Sequence, residues 1–192
     1  RFNKLTRKKD AAGRVTTHTV DDDSGDLLAT VDAVGNRTAY AYDEHGRLQG
    51  VTDPRGYVTA HRSHDSFGNA REVEDPLGNV TTRTFDARGR LAAQADTMGR
   101  ETRQEWDGLD RLVRVTRVAG GESDDEVTET AYYPGGEVRL VRNANGAETT
   151  LTIDGLGRVV GTETRFDGSV LTTATTWNAN GNKETETDRR GV

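Results

Sequence analysis

The chain has 192 residues, no cysteine and a formal net charge of −6. That excludes disulfides, thiolate nucleophiles and cysteine-held metals. It also argues against nucleic-acid binding, because acidic and basic residues are interleaved and no Lys/Arg block exceeds Arg7-Lys8-Lys9. Leu, Ile, Val and Phe together make up about 18 per cent, a level shared with disordered chains. Thr and Val abound, however, and there are three prolines in all. The composition therefore predicts strands in a thin, single-layer structure.

No run is apolar for long enough to cross a bilayer as a helix, so no membrane span is expected. The chain begins at Arg1 with neither a start Met nor a signal-peptide pattern. The expectation is an internal stretch of a longer protein, with targeting signals outside it.

Turn signals come in chain order. Lys9-Asp10-Ala11-Ala12-Gly13-Arg14-Val15 reads as a first, degraded copy of a motif that Tyr42-Asp43-Glu44-His45-Gly46-Arg47-Leu48 gives in full. Between them, Asp21-Asp22-Asp23-Ser24-Gly25-Asp26 reads as a solvated turn, because its acids do not follow the ligand order of a calcium loop. The motif returns at His64-Asp65-Ser66-Phe67-Gly68, at Phe85-Asp86-Ala87-Arg88-Gly89-Arg90 and at Trp106-Asp107-Gly108-Leu109-Asp110-Arg111. It returns again at Ile153-Asp154-Gly155-Leu156-Gly157-Arg158. Tyr132-Tyr133-Pro134-Gly135-Gly136 keeps the length without the Asp, and Trp177-Asn178-Ala179-Asn180-Gly181 has Asn in its place.

A second half-unit, Asp-x-x-Gly-x-x-Thr, alternates with the first. It covers Asp32 to Gly35 and Thr38, Asp53-Pro54-Arg55-Gly56, Asp75-Pro76-Leu77-Gly78 and Asp96-Thr97-Met98-Gly99. Asn143-Ala144-Asn145-Gly146 stands in for it later, and Asp188-Arg189-Arg190-Gly191 reads as the opening of another. One complete unit is about 21 or 22 residues.

Asp or Asn opens such a turn by bonding backbone two residues on, and Gly supplies the positive φ. The intervening Thr-, Val- and Tyr-rich segments are then strands of roughly 20 Å, joined as antiparallel hairpins. Gly120 to Glu126 lengthens one connection into a predicted exposed loop, and Phe166-Asp167-Gly168 predicts a two-residue Asp-Gly hairpin. No linker divides the chain, so residues 1–192 are read as one array. Neither strand face is continuously apolar, which suits a curved ribbon held by ladder bonds and cross-strand pairs.

These motifs resemble the YD repeat of RHS proteins, on Tyr42-Asp43-x-x-Gly46-Arg47-Leu48 followed by Asp53-Pro54-x-Gly56 and Thr59. The likeness runs from about Asp10 to Gly191 in phase. That family includes bacterial polymorphic toxins, the C subunits of insecticidal toxin complexes, wall-associated proteins and the animal teneurins. The resemblance implies β-hairpins spiralling into a hollow shell, which in bacterial members encloses a C-terminal toxin domain. It implies a secreted or cell-surface protein. The implied partners are the remaining repeats and the toxin of the same polypeptide, with secretion machinery or toxin-complex subunits as further candidates. The self-cleaving Asp-Pro-x-Gly-x-x-Gly-Gly motif that ends such shells is not matched by Asp53-Pro54-Arg55-Gly56 or Asp75-Pro76-Leu77-Gly78. An arc of wall is therefore expected, without protease, plug or toxin.

Candidate chemistry reads as structural throughout, and neither an enzyme nor a cofactor is expected. Asp43, Asp65, Asp86, Asp107 and Asp154 share one repeat position, so they form a row instead of a converging acid/base pair. His61 and His64 differ by three and fall on opposite strand faces, which disfavours a shared metal. The rings of Tyr40, Tyr42, Phe85, Trp106 and Trp177 are read as packing against neighbouring strands. The alternative is a strip of rings that binds carbohydrate at a cell surface. Asn36-Arg37-Thr38 and Asn79-Val80-Thr81 match glycosylation sequons, but turn chemistry produces the same letters.

Overall fold

The computed structural model describes residues 5–119 and 124–191, without the side chains of residues 190 and 191. Every regular element among them is a β-strand. The chain divides into two compact units, Arg1–Gly99 and Arg100–Val192.

The first unit contains β1 (Arg7–Lys9), β2 (Val15–Val20), β3 (Leu27–Val31), β4 (Arg37–Tyr42), β5 (Leu48–Thr52), β6 (Val58–His64), β7 (Ala70–Glu74), β8 (Val80–Phe85) and β9 (Leu91–Ala95). Each strand pairs antiparallel with the next. The second unit contains β10 (Glu101–Trp106), β11 (Leu112–Arg117), β12 (Glu126–Tyr132), β13 (Val138–Arg142), β14 (Glu148–Ile153), β15 (Val159–Phe166), β16 (Ser169–Trp177) and β17 (Lys183–Gly191). It is likewise a meander of nearest neighbours. Antiparallel neighbours are forced because the turns are too short for a crossover.

In a meander, alternate turns lie on opposite edges. The edge with the Asp43, Asp65 and Asp86 turns is distinguished by its ladders. A register shift stands one residue short of the turn in β2–β3, β4–β5 and β8–β9, and in β10–β11, β12–β13, β14–β15 and β16–β17 of the second unit. In β6–β7 the irregularity sits at Ser63, whose φ is 54°. The hairpins of the other edge, such as β3–β4, β5–β6 and β7–β8, have no shift. Both edges use the same turn, so the turn does not cause the bulge. The residue before the turn is Val20, Tyr42, Phe85, Trp106, Tyr132, Ile153 or Trp177 where the ladder shifts, and Val31, Thr52, Glu74 or Arg142 where it does not. The first set is mostly aromatic, but Val20 and Val31 show that this residue alone does not set the bulge. Each bulge bends its strand and increases local twist.

This edge rule corrects the reading of the N-terminus. The Asp10 turn joins β1 to β2 and shares its edge with Asp32, Asp53 and Asp75, and its ladder runs without a shift. The true counterpart of Asp43 there is Asp21, whose loop holds one extra residue: Asp21 N–H donates to Asp26 O at 2.8 Å, and Gly25 N–H to Asp21 O at 3.2 Å.

Asp188-Arg189-Arg190-Gly191 is corrected as well. It is strand, with Asp188 opposite Thr173 and Gly191 opposite Val170. The reason lies at Asp167-Gly168, where φ values of 47° and 74° make the expected two-residue turn with Phe166 opposite Ser169. That tight turn extends β16, so β17 finds ladder partners where a turn was expected. Part of the Gly120–Glu126 connection, residues 120–123, lies outside the described residues.

Among the described residues the buried apolar set is Ala29 and Ala147, and no polar residue is buried. The other described residues are half-buried or exposed in nearly equal numbers, as expected for a thin single-layer sheet.

Candidate functional site: the repeated turn and its staples

The turn is built from one aspartate. Asp43 N–H donates to Arg47 O at 2.9 Å, and Gly46 N–H donates to Asp43 O at 3.0 Å. The Asp43 carboxylate accepts His45 N–H at 2.9 Å and Arg47 N–H at 2.8 Å on Oδ1, and Arg47 Nε–H at 2.6 Å on Oδ2. Gly46 sits at φ 74°. This is a type I turn closed by a left-handed residue, one of the common hairpin connections. Partial removal from water pushes the Asp43 carboxyl up, but the Arg47 N–H, the Arg47 guanidinium and the His45 N–H outweigh it and hold the group at about 2.

The same bonds recur around Asp86 with Gly89 and Arg90, and around Asp154 with Gly157 and Arg158. At Asp107 the left-handed position is taken by Asp110, at φ 61°. Asp65 with Gly68 uses the Asn69 side-chain amide in place of a guanidinium. On the other edge, Asp53 with Gly56 and Asp75 with Gly78 keep the backbone pattern. Asn36 and Asn79 donate their amide nitrogens to Asp32 and Asp75 at 2.8 Å, so both sequon asparagines are committed to turns. At Tyr133 the turn survives without any carboxylate: Tyr133 N–H reaches Glu137 O at 2.8 Å and Gly136 N–H reaches Tyr133 O at 3.0 Å.

At four turns the preceding residue ties its turn to the previous one on the same edge. Tyr42 Oη donates to Leu27 O at 3.1 Å, and His64 Nε2 donates to Leu48 O at 2.9 Å. Tyr132 Oη donates to Leu112 O at 2.8 Å, and Trp177 Nε1 donates to Val159 O at 2.9 Å. In every case the carbonyl belongs to the first residue after the previous turn. The ladders explain why it is available: β3–β4, β5–β6, β11–β12 and β15–β16 stop at Ala29↔Ala39, Gly50↔Ala60, Arg114↔Glu129 and Gly161↔Ala174. Each ladder ends two residues short of that carbonyl, and the ring of the next repeat covers it.

The arginine that completes one turn also serves the next. Arg111 lies 4.7 Å over the Tyr132 ring and donates to Tyr133 O at 3.0 Å. Arg158 lies 5.6 Å over the Trp177 ring. Asn69 donates to Gly89 O at 3.2 Å. The aspartate thus aims a guanidinium or amide at the following turn. Tyr40, Tyr42, Phe85, Trp106 and Trp177 are all half-buried. The polar tips of Tyr42 and Trp177 are bonded within the chain, a role that packing alone did not predict.

One face of the second unit carries a charge ladder. Glu105, Arg114, Glu129, Arg142, Glu148 and Arg165 stand directly opposite one another in register across six strands. Glu105–Arg114 and Arg114–Glu129 approach to 4.0 and 3.9 Å, while Arg142 meets Glu129 at 2.9 Å and Glu148 at 2.7 Å. The bond to Glu148, then its charge, then Glu129, raise the affinity of Arg142 for its proton. Alternating sign at directly opposed positions stabilises this register and penalises a slip that would oppose like charges. The row of repeat aspartates, by contrast, brings no two carboxylates to one point, since each is spent on its own turn.

Fold and site define, in each unit, a meander of antiparallel β-hairpins stapled turn to turn along one edge. A family model described as RHS Repeat matches residues 22–58, 64–97 and 85–122, half of the chain, and the chain belongs to that family. No curated protein matches it. Among solved structures, the crystal structure of TcdB2-TccC3-Cdc42 has a TM-score of 0.67 at 17% identity, over 97% of this chain and 12% of that one. TcdB2-TccC3 gives 0.65 at 17% identity over 97% and 12%. TcdB2-TccC3 without its hypervariable C-terminal region gives 0.63 at 18% over 91% and 11%. This chain spans only 11 to 12% of the length of those chains, and the likeness is one of fold.

Proposed function

We propose that residues 1–192 form one continuous arc in the wall of an RHS-repeat shell, and that the shell encloses a C-terminal toxin domain of the same polypeptide for delivery to other cells. The observation that carries this reading is the single layer. Neither face is continuously apolar, next to nothing is buried among the described residues, and cohesion comes from ladders, turn staples and a charge ladder. Such a sheet suits a wall between two aqueous spaces better than the core of an enzyme. The work is mechanical: opening the wall requires breaking many modest bonds together. The recurring Asp, Gly, Arg and aromatic residues hold hairpins, and no catalytic role is assigned to them.

The protein acts as a secreted or cell-surface bacterial product. Its partners are the remaining repeats and the enclosed toxin, with secretion machinery or toxin-complex subunits outside. Electron microscopy of the full-length protein tests this. A hollow shell with density inside is expected, and a solid particle or a filament would sink the reading.

A carbohydrate-binding module is the other reading. It is less favoured because the Tyr42 and Trp177 tips are already bonded and the five rings are half-buried. A glycan array would favour it if specific binding disappeared in Trp106→Ala and Trp177→Ala.

A further inference from the structure

Arg83 on β8 differs from the arginines of the charge ladder. Its Nε is buried, and it has no hydrogen-bond partner among the described residues. Arg114 also has an unbonded Nε, but its guanidinium faces Glu105 and Glu129. No acid plays that part for Arg83. Its ladder partner is Gln94, and alternation places it on the same face as Thr81. Thr81 stands opposite Val73, and Val73 opposite His61. Arg71, two residues before Val73, shares this side.

The strand carboxylates of the first unit are Glu72 and Glu74, and both alternate onto the opposite face. There Arg62 pairs with Glu74. The nearby turn acids Asp65 and Asp75 are committed to their own backbone N–H groups. The His61–Arg83 face therefore carries positive charge, strand amides and hydroxyls, and no strand carboxylate. Burial, then the charge of Arg83, then that of His64 hold His61 below the usual histidine range.

A buried guanidinium N–H without a partner among the described residues is rare in folded proteins. The planar fork of Arg matches oxyanions with paired bonds, and an imidazole on the same face offers an N–H donor in its neutral form as well. We infer that Arg83, with His61 two strands away on the same face, is an oxyanion-binding site on the strand face of the first unit. Its ligand is a carboxylate from an acidic segment or a small inorganic oxyanion. The inference does not depend on the shell reading and can fail separately from it.

The test is NMR of the 192-residue chain at constant ionic strength, with sodium sulfate or sodium acetate replacing sodium chloride. The His61 ring and Arg83 Nε–H resonances should shift together and saturate. Arg83→Gln should weaken binding by about tenfold or more, the loss of one charge-assisted bond pair. Arg62→Gln, on the other face, should leave it unchanged. Should Arg83→Gln fail to give a folded spectrum, Arg83→Lys keeps the charge, removes the fork and should still bind more weakly. Saturation by acetate alone assigns a side-chain carboxylate, and by sulfate alone an inorganic anion. Linear drift with both salts, or shifts equal to wild type in Arg83→Gln, overturns the site.

Discussion

Tyr132 Oη donates to the carbonyl of Leu112 at 2.8 Å, while Arg111, the residue before Leu112, lies 4.7 Å over the Tyr132 ring. The last residue of one turn and the first residue after it are thus held by one ring of the next. Arg158, Val159 and Trp177 repeat the arrangement. The Arg that closes one turn thereby gains a second role at the next, while the carbonyl after it is a backbone group that any residue supplies.

Removing the hydroxyl isolates the bond from the ring. Tyr132→Phe should destabilise by about 0.5–1.5 kcal/mol, because the Leu112 carbonyl loses its partner while the cation–π contact remains. Tyr132→Ala should cost more, since ring packing is lost as well. Thermal and urea unfolding followed by circular dichroism measure both. Equal losses for the two variants would show that the hydroxyl carries the whole contribution.

Acid should loosen the turns. Asp10, Asp32, Asp43, Asp53, Asp65, Asp75, Asp86, Asp107 and Asp154 all have carboxyls held below the ordinary aspartate value. A depressed folded-state value means that the stabilisation is present above the unfolded value, about 3.9, and is lost as pH falls through the folded one. For Asp43 that window closes at about 2. Melting temperature should therefore fall steeply below about pH 4. Asp43→Asn should flatten part of the slope while folding at neutral pH, because Asn178 already holds a turn by accepting Asn180 and Asn182 N–H at 3.0 Å. An unchanged acid slope in that variant would contradict this account.

Two glycines with similar backbones should respond differently. Gly46 and Gly89 have φ of 74° and 78°. A Cβ at Gly46 would meet nothing within 4 Å, whereas one at Gly89 would meet Phe67 Cγ at 3.1 Å. Gly46→Ala should cost about 1–2 kcal/mol from the left-handed backbone. Gly89→Ala should cost more, and combining it with Phe67→Ala should bring it back toward the Gly46 value. Denaturant midpoints of the three variants decide this.

The charge ladder makes a salt-dependent prediction. Arg142→Gln leaves Glu129 and Glu148 without their shared cation, so it should lower the melting temperature in dilute buffer. The difference from wild type should shrink in molar salt, because these groups are exposed enough to be screened. A difference independent of salt would assign the role of Arg142 to packing of its stem.

The turns were legible because their causes are local. Asp, Gly and their spacing act within five residues, and the all-β hairpin array, its period and the RHS resemblance follow from them. The assignment of Asp10 failed because its Gly-Arg ending imitates the other half-unit, and only the pairing of β1 with β2 shows which edge it occupies. Asp188 failed because the two-residue Asp167-Gly168 turn lengthens β16, and β17 pairs along that added length.

The sequence by itself determined which residues bend the chain and that the product would be a thin sheet too poor in apolar side chains for a second layer. Tertiary structure alone decided what those residues meet. Tyr42-Asp43-x-x-Gly46-Arg47-Leu48 names a ring, a guanidinium and a carbonyl, but their partners lie in neighbouring repeats, at distances along the chain that vary with each loop. The charge ladder is hidden for the same reason. Its six members stand at irregular intervals in sequence and become neighbours only once register, bulges included, has aligned their strands.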